Sequence, residues 1–177
     1  MAKVFPPEKL RGVAAEVAAL LKEKRQSVCV GETAAGGIIS ASLLSTPGAS
    51  GFYKGGLTSD ANQLSNLFGN TAGWTQENIT NYRGPTPDIV AGLATNVRAK
   101  LGATYCISES GTAGPTGGNT PNRTPGYLAL AVATDDGKVY KKETNTGLGG
   151  DREANMIAFA EEALSLLRDV IKGDTKL

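Results

Sequence analysis

The sequence contains no histidine, and this absence narrows the chemistry open to it. Histidine-based triads, zinc-protease motifs and histidine general bases are excluded, so any catalytic base has to be Lys, Tyr, Asp or Glu. Cysteine is also scarce: Cys29 and Cys106 lie on separate apolar segments without CxxC spacing. We predict buried thiols in a reducing, cytoplasmic setting, with no metal site and no cofactor.

The chain also lacks an excess of charge of one sign and a long hydrophobic run. Eighteen Lys and Arg oppose seventeen Asp and Glu, giving a formal net charge of +1. This balance predicts neither a nucleic-acid partner nor a membrane partner. No apolar run approaches the roughly 20 residues of a spanning helix, and the N-terminus MAKVFPPEKL has no signal-peptide core. The length of 177 residues predicts a single domain over residues 1–177.

Periodic apolar residues predict alternating helices and strands in the first third of the chain. A helix follows Pro6-Pro7, because apolar residues recur from Leu10 to Leu21 at helical spacing. SVCVG is then typical of a short buried strand. A helix over Ile38 to Leu44 and a strand over Phe52 to Ser59 complete a strand, helix, strand unit with parallel strands.

The second half of the chain continues this alternation. Thr86 as cap, with Pro87 at the first helical position, predicts the start of a helix in TPDIVAGLATNV. ATYCIS is the next strand, and YLALAVATDDGKVYKKET predicts a hairpin that turns at Asp136-Gly137. A last helix begins at about Asp151. The fold class predicted is α/β, a layered sandwich with a mixed sheet flanked by helices.

Glycine pairs stand near four predicted element boundaries: Gly36-Gly37, Gly55-Gly56, Gly117-Gly118 and Gly149-Gly150. Turn geometry alone explains any single pair. Two of the pairs allow a functional interpretation as well. In GETAAGG a strand turns into a helix, where exposed backbone N–H groups attract a phosphate or a developing oxyanion. The polar loop GTAGPTGGNTP is suited to wrapping an anionic ligand.

Five segments follow one another along the chain: GETAAGG, PGAS, GGLTSDANQLS, GTAGPTGG and GDR. In order and spacing this series resembles the AESCTGG, PGSS, GGVVTYSNEAK, GIAGPxGG and GDR motifs of the CinA C-terminal domain family, the nicotinamide mononucleotide amidases. The resemblance implies an α/β sandwich and a homodimer or higher homo-oligomer. It also implies the stand-alone form, without the molybdopterin-binding-like domain that precedes this domain in longer members.

The resemblance implies a catalytic site at three positions. Family members hydrolyse the carboxamide of nicotinamide mononucleotide with a serine nucleophile, a tyrosine and a lysine, which fall here on Thr33, Asp60 and Ser65. Thr33 keeps a hydroxyl, but Asp60 cannot donate a phenolic proton when ionised and Ser65 offers no amine. Tyr53 or Lys54 is an alternative source of the base.

Ligand binding is predicted at eleven residues, most of which carry the family motifs. Arg123 is a candidate for a bidentate phosphate contact or a solvated loop charge, and Arg152 for a ligand contact or a surface ion pair. Asn62 is either a site residue or a helix cap. The full set is Glu32, Gly36, Gly37, Asn62, Gly114, Pro115, Thr116, Gly117, Gly118, Arg123 and Arg152.

Three functions follow from these residues. The favoured hypothesis is a domain that binds a small, phosphate-bearing, nucleotide-like molecule. Its amidase activity is then reduced or lost, and complete loss would make the protein a pseudoenzyme. The alternative is an active hydrolase of carboxamide C–N bonds in which Thr33 attacks. The third is a structural or interaction protein that keeps the fold for its oligomer surface.

Overall fold

The computed structural model describes residues 5–59, 80 and 82–175, and these form one sheet with helices on both faces. The three α-helices that precede or flank the parallel strands are α1 (Glu8–Lys24), α2 (Ile38–Leu44) and α3 (Pro87–Leu101), and the C-terminal helix is α4 (Arg152–Lys172). The strands are β1 (Val28–Glu32), β2 (Tyr53–Thr58), β3 (Tyr105–Gly111), β4 (Tyr127–Thr134) and β5 (Val139–Asn145). Short 3₁₀ turns lie at Ala49–Gly51 and Pro121–Arg123.

The strand order is β2-β1-β3-β4-β5, and the sheet is mixed. β1 pairs in parallel with β2 and β3, whereas β3 with β4 and β4 with β5 are antiparallel. The α/β class, the mixed sheet and the hairpin at Asp136-Gly137 are therefore confirmed. The turn glycine, Gly137, has φ +85, a conformation that glycine adopts without strain.

Alternate residues of the strands divide between two apolar layers. One face packs on α1, α2 and α4, with Val30, Ile107 and Leu130 from the sheet in that layer. The other face packs on α3, whose Val90, Leu93 and Val97 are buried against the sheet. β4 is buried along its whole length, because helices cover it on both sides.

The predicted helix starts agree with the capping geometry. The Thr86 side chain accepts a hydrogen bond from the N–H of Ile89 at 3.3 Å, and Pro87 occupies the first turn. Asp151 caps α4 by accepting from the N–H of Ala154 at 3.1 Å. Both carboxylate and hydroxyl caps satisfy backbone donors that have no partner within the helix.

Cys29 and Cys106 are buried free thiols, as expected, and the two segments that carry them are adjacent strands. They are direct partners in the parallel pairing of β1 with β3, on the face covered by α3. Burial raises the pKa of the Cys106 thiol well above its ordinary value. Within the described ranges, no helix combines the length and the apolar character needed to cross a membrane, and no three Cys, Asp or Glu side chains cluster as a metal site would require.

Candidate functional site

A cleft opens at the carboxyl ends of β1 and β3, where the chain leaves the sheet in two directions. After β1 it passes through α2 on one face, and α3, which precedes β3, lies on the other face, so the described helices leave the strand ends open between them. Such a switch point is where open α/β sheets bind ligands. The cavity measures ≈ 420 Å³. Its lining consists of Thr33, Ala34, Tyr82, Gly84, Pro85, Gly111, Thr112, Ala113, Gly114, Thr116, Gly117, Arg123 and Arg152.

Thr33 lines this cleft directly after β1, and its hydroxyl is held by β3. The Thr33 hydroxyl donates to Ser110 Oγ at 3.0 Å and lies 3.4 Å from the carbonyl oxygen of Glu109. Ser110 is buried on the same sheet face as Ser108, whose hydroxyl donates to the carbonyl of Val90 in α3. The threonine proton is therefore directed to a hydroxyl and a carbonyl, neither of which is a general base.

Glu109 lies beneath Thr33 on the opposite face of the sheet and is fully buried. Its Oε2 accepts hydrogen bonds from the N–H groups of Thr33 at 3.1 Å and Ala35 at 2.9 Å. Burial raises the pKa of the Glu109 carboxyl to about 7, against the lowering effect of these two N–H groups and with a further raising effect from nearby Glu32. The carboxyl therefore changes charge near neutral pH, directly under the cleft.

Glu32, which precedes Thr33, caps α2 rather than facing the cleft. One of its oxygens accepts from the N–H of Ile39 at 3.1 Å and the other from the N–H of Ser40 at 3.2 Å. The Ser40 hydroxyl adds a bond of 2.6 Å. Of the N–H groups that GETAAGG was expected to offer a ligand, those of Thr33 and Ala35 are bound by the Glu109 carboxylate of the same chain.

The loop after β3 forms the opposite wall of the cleft. Arg152, at the start of α4, donates from Nη1 to the carbonyl of Gly114 at 3.0 Å, which places the arginine beside the loop. Gly117 packs so closely that a Cβ there would lie 2.5 Å from the carbonyl oxygen of Arg123. The loop is therefore folded tightly onto the turn that carries Arg123, and the two arginines share one cleft.

Asn155, which the sequence analysis did not identify, holds this loop in place. It is completely buried, and its Nδ2 donates to the carbonyls of Ala113 at 2.9 Å and Gly149 at 2.8 Å. Its Oδ1 accepts from the Thr146 hydroxyl. A polar residue on the buried stripe of α4 was the available signal, because buried amides are found where they are hydrogen-bonded.

The segment before α3 was also missed as part of the site. Tyr82, Gly84 and Pro85 form the third wall of the cleft. Asn122 fixes this segment to the loop, since its Nδ2 donates to the carbonyl of Pro85 at 3.1 Å. Nothing in the local sequence around Pro85 indicates this contact, which depends on two segments far apart in the chain.

The predicted site residues divide into three groups. The cleft brings together Thr33, Gly114, Thr116, Gly117, Arg123 and Arg152. Glu32, Gly36, Gly37, Pro115 and Gly118 do not line it: Glu32 is buried beneath α2, and the glycines serve turns or close packing, as where a Cβ on Gly36 would meet Met156 at 2.8 Å. Asp60, Asn62 and Ser65 lie outside the described residues, and their roles stay predictions.

Tyr53 and Lys54 do not provide the alternative base in this geometry. Neither lines the cleft. The Tyr53 hydroxyl lies beside Ser40 on the α2 side of the sheet, and burial raises the pKa of its phenol. Lys54 is exposed near the beginning of β2, whereas the cleft is at the carboxyl ends of the strands.

Comparison with known proteins agrees with the motifs quoted above. The family model described as CinA C-terminal domain matches residues 10–171. The CinA-like protein of Prochlorococcus marinus strain MIT 9301 is 30% identical over 158 residues, which is 88% of this chain and 36% of that protein. The CinA-like protein of Thermosynechococcus vestitus gives the same identity, 30% over 158 residues, and the same shares, 88% and 36%. The chain thus spans little more than a third of the length of these relatives.

Solved structures share the fold at lower sequence identity. The competence/damage inducible protein CihA from Agrobacterium tumefaciens superposes with a TM-score of 0.85 at 21% identity, covering 97% of this chain and 99% of that one. A CinA superfamily protein from Klebsiella pneumoniae 700603 gives a TM-score of 0.82 at 21% identity, with coverage of 93% and 98%.

Proposed function

The chain belongs to the CinA C-terminal domain family, and from this premise we propose that it binds a small, phosphate-bearing, nucleotide-like ligand in the cleft, with amidase turnover reduced or lost. One observation carries the proposal: among the described lining residues, the charged side chains are Arg123 and Arg152, both cationic. Guanidinium groups suit phosphate oxygens, because their N–H donors match them in geometry as well as in charge.

The reduced turnover follows from the surroundings of Thr33. Within the described part of the lining there is no Lys, Asp or Glu that could take the hydroxyl proton, and arginine stays protonated at any working pH. Tyr82 also lines the cleft, but the Thr33 hydroxyl donates to Ser110 Oγ and lies beside the carbonyl oxygen of Glu109. Removing general acid–base help typically costs a factor of about 10²–10⁴ in rate. The family tyrosine and lysine are replaced at Asp60 and Ser65, which supports the same conclusion.

Binding is tested by thermal shift with nicotinamide mononucleotide and with nicotinamide riboside, which lacks only the phosphate. We expect the mononucleotide to raise Tm and the riboside to have little effect, because the phosphate supplies the contact with the arginines. Arg152→Gln should abolish the shift. Arg168→Gln is the matched control, since Arg168 bonds Asp169 elsewhere on α4. Equal shifts with both ligands would contradict the proposal.

The second candidate is an active amidase that uses Thr33 as nucleophile. It is favoured by one contact: Thr33 keeps a hydroxyl in the cleft, and that hydroxyl donates to Ser110 Oγ at 3.0 Å. Ammonia release from nicotinamide mononucleotide by the wild type, lost in Thr33→Ala, would favour this candidate. If the protein neither releases ammonia nor responds to ligands, the interaction hypothesis is the one left.

We also propose a homodimer or higher homo-oligomer and a cytoplasmic location, with neither nucleic acid nor membrane as partner. The near-zero net charge offers little electrostatic repulsion between copies. Light scattering at tens of micromolar is the test, and a mass of 18.2 kDa, that of one chain, would contradict the oligomer.

A further inference from the structure

The turn between β1 and α2 encloses a carboxylate that comes from β3. Glu109 Oε2 accepts hydrogen bonds from the N–H of Thr33 at 3.1 Å and from the N–H of Ala35 at 2.9 Å. Both residues precede the first residue of α2. The side chain has no exposed surface. Its other oxygen, Oε1, is buried without a hydrogen-bond partner in the part of the chain that the structure describes.

We propose that this turn is an anion-binding site occupied by the chain's own Glu109 carboxylate, and that truncation of Glu109 opens it to a small monocarboxylate such as acetate. Two N–H groups converging on one oxygen are the arrangement with which proteins bind an oxyanion or a carboxylate. In the wild type the site is closed to solutes, because the residue that fills it is part of the core.

The bonding of Glu109 differs from that of a helix cap, as its neighbour Glu32 shows. The two are direct partners in the pairing of β1 with β3 and lie on the same face of the sheet. Glu32 uses both oxygens, on the N–H groups of Ile39 and Ser40 and on the Ser40 hydroxyl. In the described part of the chain, Oε2 of Glu109 accepts from Thr33 and Ala35 whereas Oε1 has no partner, so a single oxygen atom binds both N–H groups.

The free-energy cost of burying Glu109 also supports the proposal that its carboxylate occupies an anion-binding turn. A second buried carboxylate, Glu32, acts on it as a like charge, and desolvation also disfavours its ionised form. A neutral or apolar residue at position 109 would avoid both costs. The compensation present is the pair of turn N–H groups, which would otherwise be buried donors without a partner.

The atoms removed by Glu109→Ala match acetate. The substitution deletes one methylene and the carboxylate and leaves Cβ, so acetate supplies the same carboxylate on one carbon. The two N–H donors belong to the backbone and remain in place. The inference goes beyond the proposed function and does not depend on it, because the test below uses no nucleotide and measures stability alone.

The experiment follows the Tm of Glu109→Ala at pH 8 against acetate, with acetamide as the neutral isostere and sodium chloride at equal ionic strength. A site that binds only the folded state raises Tm with saturation, by about 3–6 °C at ten times Kd for a chain of this size. We expect this rise with acetate alone. The wild type, whose site is filled, should show none.

Glu109→Leu is the matched control variant, because it fills the space with an apolar side chain and should not respond to acetate. If Glu109→Ala does not fold alone, acetate is expected to restore its folding. No acetate-specific response of Glu109→Ala, or an equal response to acetamide, would overturn the proposal.

A second measurement uses the protein without truncation. In the wild type, the amide proton and nitrogen shifts of Thr33 and Ala35 should titrate together near pH 7, as the carboxyl they contact changes charge. In Glu109→Gln, which keeps the volume and cannot ionise, both shifts should be independent of pH over this range. Unchanged titration of these two amides in Glu109→Gln would also overturn the proposal.

Discussion

Glu109 makes the free energy of unfolding depend on pH near neutrality. Its pKa is raised to about 7 in the folded chain, by burial first, from an ordinary value of 4.5. Between these values the folded state binds more protons than the unfolded state, so stability falls as pH rises through the window. The contribution is most favourable below pH 4.5 and reaches its full penalty above pH 7.

The size of this effect follows from the difference in pKa. One pKa unit corresponds to about 1.4 kcal/mol, so the full penalty is about 3 kcal/mol, of which about 2.5 kcal/mol falls between pH 5 and pH 8. Glu109→Gln removes the titration but places an amide nitrogen where Oε1 has no partner in the described part of the chain, which costs about 1–3 kcal/mol at every pH. The difference between wild type and variant therefore has to be compared across pH and not at one pH.

The assay is urea unfolding of the wild type and Glu109→Gln at pH 5 and pH 8. We expect the wild type to lose about 2–3 kcal/mol relative to the variant on going from the lower to the higher pH, or about 5–10 °C in Tm. Glu23→Gln, on an exposed part of α1, is the control for a change of net charge and should follow the wild type. A stability difference between wild type and Glu109→Gln that stays constant from pH 5 to pH 8 would refute the reasoning.

Three further substitutions test the contacts that shape the cleft and its helices. Asn155→Leu leaves two loop carbonyls without their donor and should cost about 2–4 kcal/mol in urea unfolding. The control is Asn96→Ala, on the surface side of α3, which should cost less than about 1 kcal/mol. Gly117→Ala should displace the loop and so weaken nucleotide binding in the thermal-shift assay. Its control is Gly12→Ala, because Gly12 has open space around it in α1. The control should add about 0.5–1 kcal/mol of stability and leave binding unchanged. Thr86→Ala removes the cap of α3 and should cost about 0.5–2 kcal/mol in urea unfolding.

The described helices and strands could be predicted from local signals in the sequence. Pro6-Pro7, Thr86 and Asp151 mark helix starts through dihedral preference and capping, and these are properties of a few adjacent residues. The bounds Ile38–Leu44 of α2 match the predicted helix, because a glycine pair precedes it and Pro47-Gly48 follow it. The hairpin at Asp136-Gly137 follows from turn chemistry in the same way.

The candidate site could be predicted only in part, because its contacts join segments far apart in the chain. Motif spacing brought Thr33 and the loop from Gly114 to Gly117 together correctly. It could not show that Asn155 reaches that loop, or that Cys29 and Cys106 are paired neighbours on adjacent strands. Those contacts depend on the strand register and on which turn of α4 faces the loop. The local pattern of residues does not determine either of them.

Carboxylates of the chain itself bind several backbone donors at the turn where the sequence predicts an anion site. A strand followed by glycines and a helix predicts free N–H groups at the turn between them. The prediction holds only where no side chain of the protein binds those N–H groups. Here Glu32, the last residue of β1, and Glu109, two residues before the end of β3, are buried, and their carboxylates bind four N–H groups, those of Thr33, Ala35, Ile39 and Ser40. A phosphate that approached the turn would find these four donors already bonded and two acidic side chains close to them. On the opposite wall Arg152 Nη1 donates to the carbonyl of Gly114, but both arginines carry a positive charge, so we expect an anion to bind on their side of the cleft, away from the Thr33 hydroxyl.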